Sequence, residues 1–194
     1  WDEMRALDLP AAAIEQALLD ALPPRLGALL DIGTGTGRLL ELVAPRADRA
    51  LGVDMSRDML ALARARLAER GLADRATVRQ ADMYRLPFAD AAFDAVALQM
   101  VLHYAEDPAA ALAEAARVLK PGGTLLVADL APHGRAELLE KHAHRWPGFD
   151  DAQLAGWLGA AGCVPQAAAT LAGPLSVRIW PARRQPAQLS ALVS

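Results

Sequence analysis

Residues 29–40, Leu-Leu-Asp-Ile-Gly-Thr-Gly-Thr-Gly-Arg-Leu-Leu, constrain this chain more than any other stretch. The mostly apolar run of residues 28–32 meets three glycines at alternate positions, Gly33, Gly35 and Gly37, and then Leu39, Leu40, Leu42 and Val43. That order reads as strand, tight turn and helix. Glycine suits such a turn because the backbone must adopt φ values that other residues resist, and because a missing Cβ lets a ligand lie against the main chain. The stretch is a ligand-binding turn.

What the turn lacks narrows the ligand. A dinucleotide fingerprint G-x-G-x-x-G starting at Gly33 needs its third glycine where Arg38 stands, and a P-loop needs Gly-Lys-Ser/Thr where Gly37-Arg38-Leu39 stands. Both phosphate-binding readings are weakened. Asp54 closes the apolar run Ala50-Leu51-Gly52-Val53, where a carboxylate can accept from both hydroxyls of a ribose. One helix and one strand later, Asp82 is placed to accept from an adenine amino group. The pattern points to an adenosine without a pyrophosphate.

These residues resemble the class I S-adenosylmethionine-dependent methyltransferases. The resemblance runs from Asp31-Ile32-Gly33-Thr34-Gly35-Thr36-Gly37 through Gly52-Val53-Asp54-Met55-Ser56, Ala81-Asp82 and Leu86-Pro87-Phe88 to Leu119-Lys120-Pro121-Gly122-Gly123-Thr124. One such motif alone is weak, whereas five in the right order are specific. The resemblance implies that the glycine turn holds the methionine end of S-adenosylmethionine, that Asp54 takes the ribose and Asp82 the adenine, and that Met55 and Met83 flank the purine. The implied cofactor set is Asp31, Gly33, Thr34, Gly35, Gly37, Asp54, Met55, Asp82, Met83 and Gln99, with Asp31 organising the loop. S-adenosylhomocysteine is the implied product. Asp54 and Asp82 could each instead cap a local turn; their order behind the glycine turn favours the ligand.

The remaining pattern alternates helices with strands. A lead-in helix over residues 11–22 carries Ile14, Leu18 and Leu22 at helical spacing and ends at Pro23-Pro24. In the family that this chain resembles, such a helix packs beside the glycine turn; covering the core is the competing role. Ser56 caps a helix that buries Leu60, Ala63 and Leu67 and exposes Arg64, Arg66 and Glu69. Strands are expected at residues 76–80, 93–98 and 124–128. Asp107 and Pro108 open a helix, and Pro121-Gly122-Gly123 breaks the chain before the fifth strand. A helix over residues 151–161 precedes two antiparallel strands at residues 164–171 and 175–180. The whole predicts a doubly wound α/β domain: a mostly parallel seven-stranded sheet of Rossmann-like methyltransferase type, closed by a C-terminal antiparallel hairpin. Asp129 falls at the same sheet edge as Asp54 and Asp82. The expected division is a lead-in helix over residues 1–24, a cofactor-binding domain over residues 25–180 and a tail over residues 181–194.

The four histidines, His103, His133, His142 and His144, fall in segments expected to cover the cofactor's methyl group. Methyl transfer needs an aligned nucleophile and sometimes a base. His103, just past the fourth strand, is the leading candidate for contacting the acceptor, with Tyr104 and His133 behind it; a hydrogen-bonded structural histidine is the alternative for each. His142 and His144 project about 200° apart on a helix and cannot share a metal there. No metal is expected. Trp146 and Phe149, around Pro147-Gly148, form either a lid or a packing anchor.

With 194 residues, 54% of them hydrophobic, the chain can bury one full core. A net charge of −3, with both signs scattered, gives no electrostatic footprint for direct nucleic-acid binding or for an anionic membrane. The single cysteine, Cys163, excludes an internal disulfide and suits a reducing cytoplasm; it also separates the chain from arsenite methyltransferases, which use several thiolates. No apolar run has membrane-spanning length, and no signal-peptide pattern is present. The expected partner is a small-molecule acceptor, and a homodimer is compatible with the sequence. The chain opens on Trp1, which fits either a processed chain or part of a longer one with a further domain upstream. Residues 1–5 and 142–145 also resemble proteins in which a winged-helix repressor of the arsenic-repressor type precedes a methyltransferase-like domain. That resemblance implies the alternative role: a transcriptional regulator's sensor of S-adenosylmethionine or S-adenosylhomocysteine.

Overall fold

The computed structural model describes residues 11–135 and 144–186. The expectations for residues 1–5 and for His142 lie outside them. The elements are α1 (Ala11–Ala21), β1 (Leu26–Ile32), α2 (Arg38–Val43), a 3-10 turn (Ala44–Arg46), β2 (Ala47–Asp54), α3 (Arg57–Glu69), β3 (Ala76–Gln80), β4 (Phe93–Gln99), a 3-10 turn (Leu102–Tyr104), α4 (Pro108–Val118), β5 (Leu119–Leu130), α5 (Asp151–Ala160), β6 (Cys163–Pro165), β7 (Ala169–Leu171) and β8 (Val177–Arg184).

The central strands are apolar at nearly every position because both faces of the sheet are covered. Along β1, Leu29 enters the core beneath α1, α2 and α3, where it joins Ile14, Leu18, Leu40 and Leu67. Leu30 and Ile32 enter the opposite core with Leu112, Ala115, Leu154 and Leu158 of α4 and α5. The strand order is β3-β2-β1-β4-β5-β8-β6, with β7 also on β8. The first five strands run parallel, and β8 returns antiparallel to β5. The order reverses between β1 and β4, which places a ligand crevice at the carboxyl ends of those strands.

The expected helix starts form as capped ends. Ser56 Oγ accepts from Met59 N at 3.3 Å, Asp107 Oδ1 from Ala110 N at 3.0 Å and Asp150 Oδ1 from Gln153 N at 2.8 Å. No helix among the described residues is long and apolar enough to cross a membrane.

Three local expectations differ from the structure. Pro121-Gly122-Gly123 does not precede the fifth strand but lies inside it, as an irregularity: Phe93 pairs with Leu119, and Ala95 already with Thr124. Residues 164–171 form two short strands, β6 and β7, so the sheet has eight strands, and β8 runs four residues past Trp180. Pro181 accounts for the split. Its carbonyl accepts from Gln166 N, so its ring nitrogen, which has no proton to donate, faces the same side and interrupts the ladder there. Finally, Arg66 is not on the solvated face of α3; it is half-buried and reaches back to the glycine turn.

Candidate active site

The glycine turn is held from every side. Gly33, Gly35 and Gly37 have φ of 73°, 52° and 78°. Gly33 and Thr34 both donate to Val53 O, at 2.8 and 2.9 Å, which ties the turn to the end of β2. A Cβ on Gly33 would stand 2.4 Å from Val101 Cγ2, so this glycine is fixed by packing as well as by φ. Around Gly35 nothing lies within 4 Å of the Cβ position, which leaves open space above the main chain. Thr34 turns inward; a Cβ on Gly52 would meet its Oγ1 at 2.6 Å, which explains the glycine in β2.

Charged side chains brace the same turn. Arg38, at the position where a dinucleotide fingerprint would carry glycine, instead clamps α1 to α2: its Nε and Nη2 donate to the two Glu15 carboxylate oxygens at 2.9 Å each, and Nη1 pairs with Glu41 at 2.9 Å. The lead-in helix thus packs beside the glycine turn. Arg66 Nη1 donates to Thr36 Oγ1 at 2.9 Å and Arg70 pairs with Glu41 at 3.2 Å, which adds α3 to the clamp.

Asp54 stands at the centre of the edge. Its Oδ2 accepts from Gly35 N at 2.9 Å and its Oδ1 from Ser56 N at 2.8 Å, leaving further lone pairs for ligand hydroxyls. Met55 beside it is 59% exposed, an apolar side chain left at the rim. Asp82 Oδ1 accepts from Tyr84 N at 2.9 Å in a local turn, and the exposed carboxylate retains acceptor capacity. Met83 packs on the α4-side core. The loop that follows is pinned by Arg117, whose Nη1 and Nη2 donate to Phe88 O and Leu86 O, while Glu114 accepts from Leu86 N at 2.7 Å. The Arg117 guanidinium holds the Glu114 carboxyl below the usual carboxylate range.

Asp31, 2% exposed, lies under the turn. Burial pushes its carboxyl up from 3.8 to about 7; the Thr34 hydroxyl, at a geometry short of a full hydrogen bond, tempers the rise, and the Asp54 carboxylate adds to it. Gln99 ends β4 beside Ala128 of β5.

His103 is fully buried. Its Nδ1 lies 2.6 Å from Asp129 Oδ1, and its ring lies against Tyr104 and His144, each at 4.2 Å between centroids. Asp129 also accepts from the main-chain N–H groups of Leu102, His103 and Leu130. A donated Nδ1 proton leaves Nε2 as the basic nitrogen of His103. Half-buried His133 has the opposite tautomer preference, since its Nδ1 accepts from Arg135 N at 3.2 Å. The structure therefore brings His103, Tyr104 and His144 together and leaves His133 on the strap after β5, where its N–H donates to Pro147 O. Phe149 is fully buried against Trp146 and Trp157, which makes the Trp146–Phe149 pair a packing anchor. Among the described residues no group of three or more His, Cys, Asp or Glu is placed to hold a metal.

Sequence reasoning placed Asp129 at the edge without its role as a hub. A lone acid closing an apolar strand, the signal that marked Asp54, marks Asp129 too. It had no signal for Val101 beneath Gly33, or for Met100, whose φ of 51° is rare in a residue with a side chain.

The chain matches the methyltransferase domain family over residues 30–127. It is similar to the methyltransferase GfsG of Streptomyces halstedii, 33% identical over 141 residues, which are 69% of this chain and 50% of that protein. It is also similar to demethylmenaquinone methyltransferase of Thermus thermophilus, 42% identical over 130 residues, 66% of this chain and 53% of that one. The chain thus spans about half the length of these relatives. In structure, geranyl diphosphate C-methyltransferase of Streptomyces coelicolor, in complex with Mg2+, geranyl diphosphate and S-adenosylhomocysteine, has a TM-score of 0.78 at 18% identity, covering 89% of this chain and 77% of that one; this likeness shows the fold. With the match running from β1 to β5 through the glycine turn, Asp54 and Asp82, the chain belongs to the methyltransferase domain family, whose members depend on S-adenosylmethionine.

Proposed function

We propose that this domain transfers a methyl group from S-adenosylmethionine to a small-molecule acceptor. The observation that carries the reading is the junction of Gly35 N with Asp54 Oδ2 beneath open space. A glycine turn with open space at Gly35, a carboxylate with lone pairs to spare and an apolar rim at Met55 meet at one edge, which fits the amino acid, ribose and purine parts of the cofactor. Asp31, Gly33, Thr34, Gly35 and Gly37 shape the methionine end, Asp54 takes the ribose, Asp82 the adenine with Met55 and Met83 flanking the purine, and Gln99 at the end of β4 completes the set.

When bound, the cofactor supplies an electrophilic methyl on a cationic sulfur. The chain's own work is to orient the acceptor, exclude water and, where the acceptor must lose a proton, receive it. Tyr104 and His133, half-buried at the carboxyl edge, are the side chains we assign to the acceptor's side. His103 is sealed at 0% exposure, so its part is to hold the β4 exit in place through Asp129.

Calorimetric titration with S-adenosylmethionine and S-adenosylhomocysteine, followed by a radiolabelled methyl-transfer screen, tests the reading. The screen begins with demethylmenaquinone and geranyl diphosphate, the molecules named for two of the similar proteins. Binding of both ligands with transfer to any acceptor supports the proposal. Tight binding of the product without transfer turns the reading towards a ligand sensor, and no binding of either overturns it.

A further inference from the structure

A second cavity, of about 470 Å³, opens over the outer strands β2 and β3, and neither the glycine turn, Asp54 nor Asp82 lines it. The chain passes from β3 to β4 without a helix, so this end of the sheet face has no helical cover. Three arginines stand there. The β2–β3 register pairs Ala50 with Ala76, which places Arg49 and Arg75 side by side one step earlier, and it pairs Val53 with Arg79. Like charges directly opposed across strands are destabilising.

None of the three forms an ion pair with another described residue, although Arg49 feels the Asp94 carboxylate at longer range. Among the described residues no carboxylate lies within 4.0 Å of Arg49, Arg75 or Arg79, although Asp74 sits on the rim. Elsewhere among the described residues some arginines take carboxylate partners, as Arg38 and Arg117 do, and others bond to neutral oxygens, as Arg46 and Arg66 do. The cavity's far wall is apolar and preformed. Phe88 and Phe93 meet edge to face at 5.1 Å, Arg79 lies over the Phe88 ring at 5.1 Å, and Arg117 fixes the Phe88 carbonyl from behind. Arg49 Nη2 reaches Ala92 O at 3.4 Å, on the side of that wall.

We propose that this cavity binds a small amphipathic anion: an oxyanion headgroup bridging Arg49 and Arg75, and an apolar body lying along Leu51 towards Phe88 beneath Arg79. Planar guanidinium groups suit bidentate contact with phosphate or carboxylate. The volume falls in the range of small-molecule sites, about 300 to 1,000 Å³. The site is independent of the methyl-transfer reading.

The test is calorimetric titration of the full chain with naphthyl phosphate, with naphthol and inorganic phosphate as fragments. Naphthyl phosphate is expected to bind one per chain, roughly tenfold or more tighter than either fragment, and to weaken with added salt. The R49E/R75E double variant changes only exposed side chains; circular dichroism checks its fold, and it is expected to lose at least about tenfold in affinity. Equal binding of naphthol would reduce the site to a greasy surface, and equal binding of inorganic phosphate would remove the apolar half. Unchanged affinity in the double variant, or no saturable binding of naphthyl phosphate, overturns the proposal. A cofactor titration on the same sample keeps this outcome separate from that of the methyl-transfer site.

Discussion

Asp31→Asn should flatten the pH dependence of cofactor binding. Burial holds the Asp31 carboxyl at about 7, so near neutral pH the ligand-free domain is a mixture of protonated and ionised forms. A group with that pKa is ionised in about one molecule in eleven at pH 6 and about ten in eleven at pH 8. If the cationic cofactor is held only above the carboxylate form, its affinity rises about tenfold across that interval, or about 1.4 kcal/mol. The assay is calorimetry at pH 6 and pH 8 in buffers of different ionisation enthalpy, which also counts the proton released. The ligand's own amino group titrates in the same range, so the readout is the difference between wild type and the asparagine variant. The same group sets a stability trend. The folded chain keeps this proton up to about pH 7, whereas the unfolded chain releases it near 3.8. The contribution is therefore complete below pH 3.8 and lost as pH rises through 7, up to about 4 kcal/mol in all. Relative to wild type, Asp31→Asn should gain stability between pH 5 and pH 8 in urea unfolding. Equal pH slopes for the two proteins, in binding and in unfolding, would refute the assignment of a buried, titrating Asp31.

Asp54→Ala should weaken cofactor binding by about 1 to 3 kcal/mol, since a charged acceptor of ligand hydroxyls is lost; unchanged affinity by calorimetry removes Asp54 from the site. Gly33→Ala and Gly35→Ala should separate packing from binding. The first adds a Cβ against Val101 at positive φ and should cost about 2 to 4 kcal/mol of stability by thermal unfolding. The second meets no protein atom, costs about 1 to 2 kcal/mol through φ alone, and should lose cofactor affinity in a fold that survives; equal behaviour of the two refutes the distinction. His103→Ala leaves the buried Asp129 with main-chain donors only and should destabilise the domain by about 2 to 4 kcal/mol, read by urea unfolding. A loss below about 0.5 kcal/mol, the scale of an ordinary surface substitution, would mean that the pair is not a structural hub.

The parts of the site that were legible in the sequence are those in which residue type alone carries the geometry. Three alternating glycines need no context to announce a turn with positive φ, and Asp54 is unusual because a carboxylate closes an apolar strand. Arg38 was legible only as a departure from the dinucleotide fingerprint; its reason is Glu15, 23 positions away on another element. Arg66 read as exposed because helical periodicity sees its own helix and not Thr36 of the neighbouring turn. The strand break at residues 166–168 hides for the same reason: Pro181, which causes it, lies on the partner strand. His103 carries the clearest lesson. Its position past β4 suggested contact with an acceptor, but Asp129, 26 residues later, draws the imidazole inward until no surface remains.

Asp129 and the glycine turn act on each other through one short piece of chain. Asp129 takes up the N–H groups of Leu102 and His103 together with His103 Nδ1, so the residues after β4 cannot drift. Met100, in the left-handed region, turns the chain into that grip. Such backbone strain, of order 1 to 3 kcal/mol, persists only where the surroundings over-determine it. Val101 sits between the two, its Cγ2 in the space that a Gly33 side chain would need. From the other side Thr34 presses on β2, Asp54 takes Gly35 N–H, and Arg66 and Arg38 tie the turn to α3 and α1. A turn fixed by β2, by the β4 exit and by two helices has lost its freedom before any ligand arrives. On the proposed reading, binding then avoids the cost of ordering a glycine-rich loop, and the open side of Gly35 is the face offered to the ligand.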